Sequence, residues 1–369
     1  MSSRLSITVN LEAVADNWRQ LQRRLGANRE CGAVVKANAY GLGMAEVSEC
    51  LAAIGCQTFF VANVDEGADL RRHLAAKPGV CIYVLQGVEA GREQDCLDFR
   101  LRPVLISEVM VRRWANFTKL HEAEPCAVKL NTGMNRLGLD ADSLQRLLAE
   151  VPAFWAERVA LILSHLACAD EPSHALNRQQ LEGFELALNR VRKINPAVKA
   201  SLANSSGIFL GERYCFDLAR PGAALYGLNP TPEQENPMRS TVRLALPILQ
   251  TRETRGQSYV GYGAEACLDG ARRLAVVAGG YADGIFRASF PKMVGRLNGV
   301  VVPLVGRVSM DTLTFDITNV EGAVEGGEVE ILSEQISADA QGAVAGTIGY
   351  EVLTRLGDRV RRIYQGGVE

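Results

Sequence analysis

Residues 32–43 read GAVVKANAYGLG, an apolar run that ends in one lysine and continues into a loop bracketed by glycines. A continuous apolar run of this kind is typical of a parallel strand that is buried on both faces. In a barrel of alternating strands and helices, a residue at the carboxyl end of a strand faces the mouth where active sites lie. A partly desolvated Lys36 would have a lowered pKa and act as a nucleophile; a lysine that merely extends into solvent is the alternative.

Similar apolar runs alternate with amphipathic stretches over much of the chain. After residues 32–35, the runs lie at residues 58–64, 80–85, 102–106, 127–130, 159–164, 198–202 and 217–219. Helical patterns lie between them at residues 44–54, 66–74, 107–115, 144–149 and 179–192. These eight strand–helix units predict a (β/α)8 barrel. A doubly wound open sheet is the rival, but unusual residues follow most of the strands rather than one switch point, which favours the barrel.

The character of the sequence changes near residue 229. Residues 229–239 are polar and contain three prolines, which is typical of a linker. Short β-rich runs follow at residues 242–251, 274–278, 300–305, 312–317 and 328–332, and a helical pattern lies at residues 347–355. We therefore expect a barrel domain over residues 1–240 and a mostly β domain over residues 241–369. The run at residues 6–9 lies outside the barrel units and is a candidate to join the second domain.

The composition argues against several classes of protein. The 369 residues carry 40 Lys and Arg against 42 Asp and Glu, a net charge of −2, so no nucleic acid and no anionic membrane is indicated as a partner. No window approaches the ~18 consecutive apolar residues of a membrane helix. The N-terminal residues lack the apolar core of a signal peptide. Size and composition predict a cytoplasmic enzyme.

The cysteines and histidines argue against a disulfide framework and a catalytic metal. The nine cysteines never occur at Cys-x-x-Cys spacing, and their odd number fits reduced thiols in a cytoplasm. The four histidines form no His-Glu-x-x-His motif. We therefore expect no metal site.

Two glycine-containing segments follow the last two predicted barrel strands. Residues 203–207 read ANSSG and residues 220–227 read RPGAALYG. Loops at these places in a barrel often bind phosphate through backbone N–H groups at the start of a short helix. Each segment alone is also typical of an ordinary turn, but the pair at neighbouring strand ends favours a phosphate site.

Further segments place polar side chains near the same mouth. His165 follows the sixth predicted strand, and Arg136 lies in a glycine-flanked loop after the fifth, where its guanidinium can bind a carboxylate. In the second domain, glycines flank Tyr262 and Tyr281, so that a phenol can be delivered to a site with close backbone approach. A structural histidine, a solvated arginine and turns packed by one tyrosine ring are the alternatives for these residues.

Taken in order along the chain, these segments resemble the alanine racemases, a family of enzymes that use pyridoxal phosphate (PLP). The resemblance extends over essentially the whole chain. It rests on the motifs at residues 35–41, 132–138, 164–165, 204–205, 220–222, 261–264, 280–284, 308–311 and 347–351. It implies a (β/α)8 barrel followed by a mostly β C-terminal domain, the interconversion of L- and D-alanine, and PLP as the cofactor.

The resemblance also implies a role for each matching residue. Lys36 would hold PLP covalently and serve as the base on the D side of the substrate, and Tyr262 would be the second base, on the L side. Racemisation needs one base on each face of Cα, which this pair would provide. Arg136 and the backbone N–H of Met310 would bind the substrate carboxylate. The other residues implied to bind the cofactor are Tyr40, His165, Asn204, Ser205, Arg220, Gly222, Ala223 and Tyr350, with Arg220 at the pyridine nitrogen and His165 behind it.

The implied assembly is a homodimer with shared active sites. Lys36 belongs to the barrel and Tyr262 to the second domain, and the resemblance places Tyr262 of the partner subunit opposite Lys36. Tyr281 of the partner subunit would line the entrance.

Three positions qualify the resemblance. Lys129 matches a position that carries a carbamate in some members, where the carbamate orients Arg136. Many members have Asp where Asn131 stands, and Ser309 is often Cys. Neither departure falls on a residue that is implied to move a proton.

Three rival functions come from related PLP proteins. A broad-specificity or serine racemase on the same scaffold would differ in pocket size, and one methylene or hydroxyl discriminates only weakly. A PLP-binding regulator built on a similar barrel lacks the β domain, so Tyr262 and residues 241–369 argue against it. A two-domain decarboxylase is disfavoured by the order of Lys36 and Tyr262 and by Arg220 at the ring.

Overall fold

The computed structural model describes residues 5–77 and 79–367, so the first four and the last two residues of the predicted domain ranges lie outside the described residues. The chain opens with strand β1 (Ser6–Asn10) and helix α1 (Leu11–Leu25), at whose start Asn10 Oδ1 accepts a hydrogen bond from Ala13 N (2.9 Å). A barrel follows. Its strands are β2 Glu30–Cys31, β3 Ala33–Val34, β4 Thr58–Val61, β5 Cys81–Val84, β6 Arg102–Leu105, β7 Cys126–Lys129, β8 Val159–Leu163, β9 Lys199–Ser201 and β10 Leu218–Ala219.

The barrel strands pair in parallel and in sequence order from β3 to β9. β10 closes the ring between β9 and β2, since Arg220 N donates to Ala203 O (2.9 Å) and Gly32 N donates to Ala219 O (3.0 Å). Gly32 separates β2 from β3, and a Cβ there would stand 3.0 Å from Thr58 O. The predicted (β/α)8 barrel is confirmed.

Helices alternate with the barrel strands, as the sequence pattern predicts. They are α2 Lys36–Tyr40, α3 Met44–Ala53, α4 Val64–His73, α5 Glu93–Asp98, α6 Glu108–Phe117, α7 Ala141–Glu150, α8 Pro152–Glu157 and α9 Ala175–Arg192. Asn63, Ser107 and Asp140 cap α4, α6 and α7, because each side chain accepts a hydrogen bond from the backbone N–H three residues on. Two short 3₁₀ helices, Ser206–Phe209 and Ala223–Tyr226, begin in the segments predicted to bind phosphate.

The second domain is mostly β, as predicted. Its elements are β11 Val242–Thr254, β12 Ser258–Val260, β13 Ala266–Leu268, β14 Arg272–Ala278, β15 Val294–Leu297, β16 Val300–Pro303, β17 Thr312–Asp316, β18 Glu328–Leu332, α10 Ala338–Ala345, α11 Gly349–Thr354 and β19 Arg361–Gln365. The main sheet runs β16-β15-β18-β11-β1-β19, and β14 pairs with both β11 and β17. β1 lies in this sheet, antiparallel to β11 and parallel to β19.

The hairpin of β12 and β13 is an element that the sequence pattern did not predict. The two strands pair only with each other, with Tyr259 opposite Cys267. Each strand has only three residues, which is too short for an alternating apolar pattern to be recognised in the sequence. Tyr262 lies in the turn between them.

The described residues bear on the expectations for membrane helices, metal sites and cysteines. No helix within residues 5–77 and 79–367 has the length and apolar character needed to cross a membrane. Over the same residues, no cluster of three or more His, Cys, Asp or Glu is placed to hold a metal ion. Free thiols occur at Cys31, Cys56, Cys81, Cys96, Cys126, Cys168, Cys215 and Cys267.

Helix α1 joins the end of the barrel to the start of the second domain through a buried asparagine. Asn17 is fully buried, and its Nδ2 donates to Leu225 O (3.2 Å) and to Arg239 O (3.0 Å). Its Oδ1 accepts from Arg239 N (2.8 Å). One side chain therefore satisfies three backbone groups on either side of the linker.

We expect Asn17→Ala to lower the free energy of unfolding by about 3 kcal/mol, since a buried polar group left without a partner costs about 1–3 kcal/mol. Urea denaturation followed by tryptophan fluorescence measures the change. Asn116→Ala, at an exposed position of α6, is the matched control and should alter the value by less than about 0.5 kcal/mol. Equal losses in the two variants would contradict the role of Asn17.

Candidate active site

A cavity of about 540 Å³ opens at the carboxyl ends of the barrel strands. Residues that follow β3, β4, β5, β7, β8, β9 and β10 build its wall, together with α11 of the second domain. The structure brings ten of the predicted site residues into this wall: Lys36, Tyr40, Arg136, His165, Asn204, Ser205, Arg220, Gly222, Ala223 and Tyr350. Two other predicted residues, Tyr262 and Met310, do not line it.

Lys36 stands at the start of α2, a turn that winds left-handed. The φ angles of residues 37–40 lie between 52° and 56°. This region costs a residue other than glycine roughly 1–2 kcal/mol. A backbone hydrogen bond from Ala39 N to Val35 O (2.8 Å) helps to close the turn. The fold therefore holds a strained backbone at the point where Lys36 enters the cavity.

The surroundings of Lys36 favour its neutral form. Burial lowers the pKa of the Lys36 amine and the Arg136 guanidinium lowers it further, whereas the Glu66 carboxylate raises it. A lowered pKa increases the fraction of neutral amine near neutral pH. A neutral amine accepts a proton or attacks a carbonyl carbon.

Positive charge dominates the cavity wall. Lys36, Lys129, Arg136 and Arg220 line it, and no Asp or Glu of the described chain does. Burial, and then the neighbouring Arg220, lowers the pKa of Lys129 to about 8. Cations gathered without carboxylates favour a ligand with several negative charges, such as one with a phosphate or a carboxylate.

Arg220 is buried in this wall and pairs with neutral groups only. Its guanidinium donates to the Ser164 carbonyl, the Ser201 hydroxyl and, at 3.4 Å, the Leu202 carbonyl. Burial lowers the pKa of Arg220 to about 10, so the group stays charged near neutral pH. A guanidinium has no acceptor atom and can only donate a hydrogen bond to a ligand.

A polar cradle surrounds Gly222. A Cβ at this position would stand 2.4 Å from Tyr40 Oη, so a residue other than glycine would fill the space beside the phenol. Ser205 Oγ accepts hydrogen bonds from Gly222 N and Ala224 N, both at 3.1 Å. Its own O–H remains available as a donor to a ligand.

Two phenols beside this cradle keep their protons. Burial raises the pKa of Tyr40 above its usual range and raises that of Tyr350 to about 12. Their ring centroids lie 5.9 Å apart, although Tyr350 belongs to α11 of the second domain. Protonated phenols, the Ser205 hydroxyl and the open space at Gly222 fit a phosphate group, whose oxygens accept several hydrogen bonds.

His165 is a neutral side chain in this cationic wall. Burial, followed by Arg220, lowers the pKa of His165 well below its usual value. The fully buried Gln180 of α9 holds the backbone there, since Nε2 donates to His165 O (2.9 Å) and Oε1 accepts from Ala167 N (2.8 Å). Sequence analysis missed Gln180, because a glutamine within an amphipathic helix gives no signal of the distant backbone it binds.

Asn131 shapes the loop that carries Arg136. Its Oδ1 accepts from Gly133 N (3.2 Å) and Asn135 N (2.9 Å). Its Nδ2 donates to Asn135 Oδ1 (2.9 Å). The Asn131 amide therefore supplies the side-chain acceptor of this turn. Many members of the family that the sequence resembles have a carboxylate at this position.

Tyr262, Tyr281 and Met310 lie on the surface of the second domain. They are 72%, 40% and 51% exposed. The turns that carry them lie side by side. Tyr281 N donates a hydrogen bond to Ser309 O (3.1 Å), next to Met310. Gly306, in the segment before Met310, packs so closely against the backbone before Tyr262 that a Cβ on Gly306 would stand 2.7 Å from Val260 O. Large exposed side chains grouped in this way are typical of a surface that contacts another protein.

Comparison with known families and curated proteins gives one consistent result. The alanine racemase N-terminal domain matches residues 9–230, and the alanine racemase C-terminal domain matches residues 241–364. The alanine racemase of Rhodospirillum rubrum is 46% identical, over 98% of this chain and 96% of the relative. The catabolic alanine racemase of Mesorhizobium japonicum is 43% identical, over 98% of this chain and 93% of the relative.

Solved structures agree with the sequence relatives. The alanine racemase of Bartonella henselae with covalently bound pyridoxal phosphate superimposes with a TM-score of 0.89 at 35% identity, over 98% of this chain and 99% of that chain. The biosynthetic alanine racemase of Pseudomonas aeruginosa gives a TM-score of 0.88 at 32% identity, with the same coverage. With both domains matched along nearly the whole length, the chain belongs to the alanine racemase family.

Proposed function

We propose that this chain interconverts L-alanine and D-alanine with PLP as its cofactor, and that Lys36 and Tyr262 of the partner subunit carry the protons. One observation carries the proposal: a lysine with a lowered pKa shares a cavity with a phosphate cradle and three further cations, and no carboxylate of the described chain lines it. A phosphate and a substrate carboxylate supply the negative charges that this wall lacks.

The residues of the cavity fit PLP. Tyr40, Ser205 and Tyr350 would donate to the phosphate, in the space that Gly222 leaves free. Arg220 would donate to the pyridine nitrogen, and Lys36 would bind the cofactor covalently. Bound PLP withdraws electron density from the Cα of an amino acid and so acidifies its α-proton.

The chain itself would move the proton and hold the substrate. Lys36 Nζ, which burial makes less basic, would take the α-proton from one face of Cα. Tyr262 Oη of the partner subunit would serve the opposite face. Removal on one face and return on the other inverts Cα. Arg136, which has no ion pair among the described residues, would hold the carboxylate in place, helped by Met310 N–H of the partner subunit.

Arg220 would limit side reactions. A guanidinium has no proton acceptor, so it stabilises an unprotonated ring nitrogen and does not favour the protonated form. With its ring nitrogen kept unprotonated by Arg220, the bound cofactor would be a weaker electron sink, which would disfavour transamination. His165, neutral and adjacent to this charge, adds no further cation.

The proposed active unit is a homodimer with shared sites. Tyr262 is 72% exposed and lies outside its own chain's cavity, so a second copy is needed to bring a phenol to the face opposite Lys36. Exposed Tyr281 and Met310 beside it support the same surface as the dimer contact. The free thiols fit a reducing compartment, and we place the enzyme in the cytoplasm.

A broader amino-acid racemase or a serine racemase is the alternative to an enzyme for alanine. Relatives at 40–46% identity are named as alanine racemases, which supports alanine. Parallel assays with L-alanine and L-serine decide between them, and equal kcat/KM for the two substrates would favour the alternative.

We expect Lys36→Ala to lose covalently held PLP and to reduce racemase activity by at least about 10³-fold, since it removes both the attachment point and one base. Borohydride fixation followed by peptide mass analysis locates PLP in the parent protein, where it should be on Lys36 and not on Lys129. Lys119→Ala, at an exposed position in the turn after α6, is the control and should retain both properties. PLP fixed to another residue would contradict the assignment.

Mixing Lys36→Ala with Tyr262→Phe protein should restore activity, because each mixed dimer holds one site with both bases. Random exchange makes half of the dimers mixed, with one intact site each, so about a quarter of the parent activity is expected. Mass analysis of the intact dimers verifies the exchange. Verified exchange without restored activity would argue against shared sites.

Tyr262→Phe should affect the two enantiomers unequally. Lys36 remains able to exchange the α-proton on its own side, so deuterium from heavy water should enter D-alanine faster than L-alanine. Proton NMR of each enantiomer measures this exchange. Tyr259→Phe, in the same hairpin and 60% exposed, is the control and should leave both rates unchanged. Equal residual exchange of both enantiomers in Tyr262→Phe would refute the division between the two bases.

A further inference from the structure

The Glu66 carboxylate contacts the turn that carries Lys36. Its Oε1 accepts a hydrogen bond from Ala37 N (2.9 Å) and its Oε2 accepts one from Ala62 N (2.7 Å). Ala37 and Ala62 both line the cavity, whereas Glu66 does not. One carboxylate therefore joins the segments that follow β3 and β4 from outside the ligand space.

The position of Glu66 in its own helix does not account for these contacts. The start of α4 is already capped by Asn63, whose side chain accepts from Glu66 N (2.9 Å). An acidic residue in the first turn of a helix is favourable in general, and Asp65 also meets that condition. Asp65 pairs with Arg92 (2.7 Å) on the surface instead. The bond from Glu66 to Ala37 is thus a tertiary contact beyond helix capping.

The left-handed turn needs an anchor at its start. Residues 37–40 have positive φ angles, and the first N–H groups of a helical turn lack partners inside it. Glu66 supplies the acceptor for Ala37 N, and at the far end Asn38 Oδ1 accepts from a backbone N–H (2.8 Å). Without Glu66, Ala37 N would lose this partner, and the start of the turn would depend on the bond from Val35 N to Phe60 O (2.9 Å) and on the bond within the turn from Ala39 N to Val35 O. Lys36 precedes Ala37 directly, so any shift of this peptide moves Lys36.

Glu66 also acts on the charge of the Lys36 amine. The other charged or titratable groups that face this amine are Arg136, Lys129 and His165. Arg136 and Lys129 oppose a positive charge on Lys36, and the buried His165 is neutral. Among the described residues, Glu66 is the carboxylate whose charge opposes theirs.

We propose that Glu66 is a positioning residue for Lys36, which anchors the left-handed turn at Ala37 N and places a negative charge beside that turn. This inference rests on the proposed role of Lys36 as the lysine that binds PLP. Glu66 touches neither substrate nor cofactor and acts through Lys36 alone.

Three variants of the full chain separate the two contributions. Glu66→Gln removes the charge and one of the two acceptor oxygens. Glu66→Asp keeps the charge but is one methylene too short to reach both backbone N–H groups. Asp65→Asn is the matched control, because it removes a carboxylate from the same helical turn at a side chain that is 75% exposed.

The first readout is the protonation of Lys36 in the full chain after PLP is removed with hydroxylamine. Labelling with acetic anhydride over a series of pH values, followed by peptide mass analysis, gives the pH midpoint of the Lys36 amine. We expect Glu66→Gln to lower this midpoint, because an ammonium is less stable once a nearby carboxylate is lost. Glu66→Asp and Asp65→Asn should keep the parent midpoint.

The second readout is the covalent attachment of PLP, followed by steady-state kinetics of the holoenzyme. In Glu66→Gln and Glu66→Asp we expect the attachment rate and kcat to fall about 10- to 100-fold, since a small misplacement of a reacting group is costly. KM for alanine should stay near the parent value, because Arg136 holds the carboxylate. Asp65→Asn should match the parent in all three quantities.

The proposal is overturned if Glu66→Gln keeps the parent midpoint and the parent attachment rate, or if Asp65→Asn loses as much as Glu66→Gln. If Glu66→Gln does not fold, Glu66→Asp decides, and a parent rate of PLP attachment in that variant overturns the anchoring. Failure of the proposed function is a separate outcome. It would appear as covalent PLP in Lys36→Ala, whereas the Lys36 midpoint is measured without PLP.

Discussion

The positive charge gathered at the mouth of the barrel is the constraint on which the rest of the site depends. Four cationic side chains line one cavity, and no carboxylate within the described residues lines it with them. Burial, and then repulsion among the neighbouring positive charges, lowers the pKa of Lys129 to about 8 and keeps His165 neutral. An anionic ligand relieves this repulsion. Binding of PLP and stability of the barrel mouth are therefore coupled, because a ligand that binds the folded chain stabilises it.

A rigid scaffold lets the site hold a backbone that would be unfavourable by itself. The left-handed turn after Lys36 and the open space at Gly222 both face the cavity, and both depend on neighbouring segments. The hydrogen-bonded parallel strands hold the start of each of these segments in a fixed position. Strain at such a point is maintained because the surrounding structure outweighs it. As a result, a lysine and a glycine that follow different strands line the same cavity.

The second domain presents tyrosine side chains at two separate places. Tyr350 of α11 enters the cavity of its own chain beside Tyr40. Tyr262 lies outside that cavity, on an exposed hairpin. Side chains at the ends of the barrel strands approach a ligand from the barrel side only. Under the proposed mechanism, a base on the opposite face of the substrate must come from an element outside that wall, which is why the dimer and the catalytic pair belong together.

Local sequence patterns determined the order of the elements and most of the residues in the cavity. Short apolar runs predicted the barrel strands, as residues 127–130 do for β7 (Cys126–Lys129), and glycine-bracketed motifs such as that around Lys36 predicted strand ends. The bond from Glu66 to Ala37, the pKa of Lys129 and the outward position of Tyr262 were decided only by the tertiary structure. The physical reason is that hydrogen-bond partners, burial and charge proximity arise between segments far apart in the chain, and no local pattern encodes which remote segment will be adjacent.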